Sequence, residues 1–174
     1  MADTGGGGNV ECFDSIAIQG TIQRKRTVVC MAHGKVGATA GWTTNVNKGS
    51  AQCPASQTGS TFVIPITGLG TGDIITGFTV LGQLESAGGT ATLDADFRKL
   101  TAAAADLTDA SIGTITQISK TADYLIHDSK TFTTPELVST STTIGTGYYV
   151  LFTATTAALT DIDLIGVQVN LERV

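Results

Sequence analysis

The sequence predicts an all-β chain: a single antiparallel β-sandwich, jelly-roll-like or Greek-key, preceded by a flexible N-terminal arm. Three observations predict it. Apolar residues recur at every second position through much of the chain, the period of a half-buried strand. Gly, Asp and Asn interrupt that alternation at the spacing of sandwich turns. No segment carries the i, i+3, i+4 pattern of an amphipathic helix.

Residues 1–12 read as the arm, because Gly5, Gly6, Gly7 and Gly8 leave the backbone too free to hold a shape unaided. Residues 13–174 read as one sandwich domain, a length sufficient to bury a core. Ser15 to Gln23 and Thr27 to His33 are the first strands. Residues 34–59 form a long polar loop that holds the single tryptophan, Trp42. Loops of that length usually bind something or belong to an interface.

Phe62, Ile64 and Ile66 alternate with Val63 and Pro65, and the proline places that strand at a sheet edge. Ile74, Thr76, Phe78, Val80, Gly82 and Leu84 share one face of the next strand. Ser86-Ala87-Gly88-Gly89 is a tight turn into Thr90 to Leu100, where Leu93, Ala95 and Phe97 oppose Asp94, Asp96 and Arg98. Thr101 to Asp106 fits a helical turn or a loop. Ser111 to Ser119 and Asp123 to His127 are short strands. Tyr148 to Thr155 is apolar on both faces, as in a strand between two layers. In the last strand Ile165, Val167, Val169 and Leu171 face in, and Gln168, Asn170 and Glu172 face out.

Composition narrows the function classes. Charged residues make up 14% of the chain, against roughly 25% in an ordinary soluble domain. A surface so poor in charge belongs to an extracellular or virion-like protein, or to one covered by neighbouring subunits. The net charge of −5 opposes nucleic-acid binding, which draws its affinity from clustered Lys and Arg. Arg24-Lys25-Arg26 is the single basic cluster and reads as a guarded strand edge. No apolar run is long enough to span a membrane, and the N-terminus lacks the features of a secretory signal, which predicts synthesis in a host cytoplasm. Cys12, Cys30 and Cys53 match no zinc spacing; a Cys12–Cys30 and a Cys30–Cys53 bridge both stay open.

The sequence carries no complete catalytic pattern. His33 and His127 lack the nucleophile and orienting group of a triad. Gly68-Leu69-Gly70-Thr71-Gly72 leads into a strand, not a helix, so it is a turn and not a phosphate loop. Asp94 with Asp96, and Asp161 with Asp163, are candidate Ca²⁺ ligands, although neither pair supplies the oxygens such an ion needs. Asp94 with Asp96 could also serve as the carboxylate pair of a glycosidase, but beside Arg98 it reads as a surface charge ladder. Trp42 is the one candidate platform for a glycan. No cofactor is expected.

The segments Gly72 to Phe78, Gly82 to Gly89 and Leu93 to Lys99, with Thr108 to Gly113 and Tyr148-Tyr149-Val150, resemble small β-sandwich structural proteins of tailed phages. Those are capsid decoration (cement) or head-fibre proteins. The likeness runs over roughly residues 60–174. It implies a non-enzymatic virion subunit that acts through contacts with other capsid proteins and with its own copies, a trimer being favoured. The arm and the 34–59 loop would make those contacts. The alternatives are a carbohydrate-binding module and a subunit of an extracellular filament.

Overall fold

In the computed structural model, residues 24–32, 41–103, 106–139 and 145–173 are described. The arm with Gly5 to Gly8, the strand expected over Ser15 to Gln23, Cys12 and His33 lie outside them. The described residues form ten strands: β1 (Arg24–Met31), β2 (Thr43–Asn45), β3 (Ser50–Cys53), β4 (Gln57–Ile66), β5 (Asp73–Ser86), β6 (Ala91–Ala103), β7 (Asp106–Lys120), β8 (Tyr124–Leu137), β9 (Thr146–Thr156) and β10 (Thr160–Arg173). Every pairing is antiparallel.

Two sheets face each other. In the first, β10 is central, with β5 and then β8 on one side and with β1 and the β2–β3 hairpin sharing the other. The second runs β4-β9-β6-β7. With the short hairpin set aside, eight long strands cross between the sheets in the order of a jelly roll: β1-β10-β5-β8 against β4-β9-β6-β7. The interior is filled. Phe62, Phe78, Phe97 and Phe152 are fully buried, surrounded by Ile64, Leu93, Val150, Leu164, Val167 and Val169.

Several expectations hold and several are corrected. Pro65 lies on β4, which among the described residues is an edge strand paired to β9 alone. Leu93, Ala95 and Phe97 point inward as expected. On β5, however, the inward face changes partway. Ile75 is buried before Thr76, and Phe78, Val80 and Leu84 after it, because a bulge shifts the register between Ile75 and Gly77. Ile74 and Thr76 therefore leave the expected face. An extra residue in one strand reverses the phase of everything beyond it. The same effect moves Ile165 outward to 42% exposure, since β10 breaks register between Leu164 and Gly166.

The segment read as a loop over 34–59 contains β2, β3 and the start of β4, joined to β10 through Ile162 to Leu164. Thr101 to Ala103 continue β6 and Asp106 begins β7, so these residues are strand, not a helical turn. The Ser86–Gly89 turn carries the chain from the first sheet to the second. Both β7 and β8 run well beyond the short strands expected.

Candidate interaction surface

Arg26 and Lys25 are held in place by acids. Arg26 donates to the carboxylate of Asp73, which has no solvent exposure, and to the Gly68 carbonyl at 3.1 Å. Lys25 lies 3.4 Å from Glu172. Burial by itself would raise the pKa of Asp73, but the Gly70 amide at 2.6 Å and the Arg26 guanidinium outweigh it and hold the carboxyl below its usual range. Asp73 thus favours folding at neutral pH, and that contribution is lost as pH falls through its depressed value. The turn at 68–72 takes left-handed backbone at Gly68 and Gly72 and delivers the Gly70 amide to this acid.

The four candidate Ca²⁺ ligands fall on two outer faces. Asp94 accepts from the Gln117 amide at 2.6 Å, where β7 bulges and Gln117 takes φ 54°. Asp96 accepts from Arg98 at 2.5 Å and from the hydroxyls of Ser111 and Thr114. Asp163, 2% exposed, accepts from Lys48 at 2.7 Å, Ser50 at 3.0 Å and Asn45 at 3.3 Å, and Lys48 also reaches Glu85 at 2.5 Å. Asp161 accepts from Gln52 at 3.1 Å. The ammonium of Lys48 stands where a cation between Glu85 and Asp163 would stand. Among the described residues no three acidic, histidine or cysteine side chains are grouped to hold a metal. These carboxylates tie the β2–β3 hairpin to β10 and β7 to β6.

Lys48 is held charged by Asp163 first and by Glu85 second. Asp161 moves the other way: burial, then Glu85 and Asp163, raise its pKa. A carboxyl whose folded pKa exceeds its unfolded value binds its proton more tightly when folded, so its ionised form opposes folding at neutral pH. Asp161→Asn is therefore expected to raise Tm at pH 7. The gain should vanish well below the ordinary aspartate value of about 3.9, where both states are protonated. Thermal melts at the two pH values check this, and a lower Tm at pH 7 would contradict it.

Trp42 is corrected from exposed to buried. It is 4% exposed and stacks on Phe62 with ring centroids 5.1 Å apart and planes 26° from parallel. Its ring forms part of the core, so it presents no face to a sugar. Cys30 and Cys53 are buried free thiols, and burial pushes the Cys53 thiol up to about 11.

The feature that sequence reasoning missed lies on the outer face of the second sheet. Val63 and Pro65 of β4, Tyr149 and Leu151 of β9 and Leu100 of β6 line an open groove of about 510 Å³ with an almost wholly apolar wall. Tyr148 to Thr155 was expected to lie between two layers. Its inner face does, with Val150, Phe152 and Ala154 buried, but Tyr149 and Leu151 lie on the outer face and are only half-buried. Beside this strip the same face turns polar. Arg98 donates through Nε to both oxygens of Asp109 at 3.0 Å, and the Tyr149 hydroxyl donates to Asp109 at 2.8 Å. Arg98 and then Tyr149 lower the pKa of Asp109. The signal in the sequence was the apolar outer series Val63, Pro65, Leu151, read there as edge and inter-layer residues.

No family model matches the chain and no curated protein matches it. Among solved structures it is similar to a chain of infectious bursal disease virus, Gt strain, at 14% identity and a TM-score of 0.39, covering 85% of this chain and 32% of that one. A chain of the Gx strain gives 14% identity and a TM-score of 0.32, with 88% and 37% covered. The protein spans about a third of the length of those chains.

Proposed function

We propose that the protein is a non-enzymatic structural subunit of a virion, acting through contacts with its own copies and with other capsid proteins. The apolar strip of Val63, Pro65, Leu100, Tyr149 and Leu151, which lines an open groove among the described residues, carries this reading. An apolar surface bordered by paired charges is the anatomy of a contact patch. The fold is compatible with it, since jelly rolls recur in capsid proteins. They also recur in lectins and cupins, so the site must decide. A cupin works inside its barrel, whereas here aromatic and aliphatic side chains fill the space between the sheets. A glycan site needs free polar donors beside a flat ring. Here Trp42 is buried, and Arg98 and Asp109 bind each other beside Tyr149.

A filament built edge to edge fits less well. Charged residues on β1, Pro65 on β4 and two register breaks in β7 discourage strand addition. Capsid decoration is the finer form of the proposal, with a trimer as the assembled ring and residues 1–12 as its connecting arm. Mass analysis of purified particles from the source tests it. The chain should be recovered at a fixed stoichiometric ratio to the major shell protein; its absence from intact particles would sink the reading.

A further inference from the structure

Resting on the reading of this face as a contact surface, we infer that the outer face of the second sheet pairs with the same face of a second copy about a two-fold axis. Side chains stand in register across it. Val63, Leu151 and Asp96 form one row, and Pro65, Tyr149 and Arg98 form the next. A two-fold axis crossing the strands between these rows sets each row against the other row of the second copy. Val63 then meets Pro65, Leu151 meets Tyr149, and Asp96 meets Arg98, twice over by symmetry. The apolar strip covers itself, and the Asp96–Arg98 ion pair of each copy meets that of the other with opposite charges facing.

The area is sufficient. Four strands about 4.8 Å apart, with roughly ten residues at about 3.3 Å each, present roughly 650 Å² per copy. Both copies together bury about 1,300 Å², above the roughly 1,000 Å² that a specific interface should clear. Sheets packed face to face through interleaved side chains are the same arrangement that builds the sandwich itself. An axis running along the strands serves less well. It either leaves part of the sheet uncovered or sets Val63 and Pro65 against the charged strands β6 and β7.

Light scattering behind size exclusion, over a concentration series of the full chain, tests the pairing. The wild type should move from monomer toward dimer, or toward species built from dimers. Leu151→Asp should weaken that association by about tenfold or more. Val63→Lys, at a side chain already 38% exposed, should do the same with an unchanged melting temperature, which separates lost contact from lost folding. A wild type that stays monomeric at its highest soluble concentration overturns the pairing. Oligomers of unchanged mass and affinity in both variants also overturn it. In either case the virion reading is decided separately, by whether the chain is present in particles.

Discussion

Phe97→Ala is expected to lower stability by about 3–5 kcal/mol, the range for removing a fully buried phenylalanine. Phe97 has no solvent exposure and sits where the two sheets meet. Its ring centroid lies 5.5 Å from Phe78 on β5, 5.3 Å from Phe132 on β8 and 6.2 Å from Tyr148 on β9. Truncation leaves a cavity lined by three rings anchored on different strands, and these cannot all collapse into it. Because a domain is stable by only about 5–15 kcal/mol, the variant should be partly unfolded at 37 °C or close to it. Urea denaturation checks this: the midpoint should fall with an unchanged slope. A loss below about 1 kcal/mol would mean that the cluster is not the centre of the core.

Gly77→Ala should rival it, at about 3 kcal/mol or more, through overpacking and not through a cavity. A Cβ at Gly77 would lie 2.2 Å from the carbonyl oxygen of Lys130 and 3.1 Å from Cα of Thr131. Both are backbone atoms of the neighbouring strand, so no side chain can rotate away to make room. The clash falls at the bulge that reverses the phase of β5, and relieving it would separate β5 from β8. Gly147→Ala is the control. A Cβ there meets nothing within 4 Å, and its cost should stay within about 0.5 kcal/mol. Parallel thermal melts of the three proteins check the pair. A Gly77→Ala protein as stable as the control would contradict the close approach of β5 and β8.

The strand content, the edge position of β4 and the inward set Leu93, Ala95 and Phe97 were legible in the sequence. Each follows from a period of two or from the missing amide of proline, and both are local properties of the chain. The buried partner of Arg26, Asp73, was not legible. Which acid a cation meets depends on strands far apart in the chain.

The tertiary structure alone decided the rest. Bulges at Thr76 and Ile165 exchange buried and exposed faces, and no alternation pattern announces an inserted residue. Trp42 and the strands β2 and β3 looked like polar loop because three- and four-residue strands carry too little periodicity to read. Their order comes from β10 and from Phe62, both distant in sequence. The contact face shows the division most clearly. Val63, Pro65, Leu100, Tyr149 and Leu151 come from three strands spread over some ninety residues, and only the pairing of β4, β9 and β6 makes them one surface. Local chemistry determined that this chain would form strands and an apolar core. Long-range pairing decided which apolar residues the core left outside, because one chain with two sheets can cover only the faces it turns toward itself.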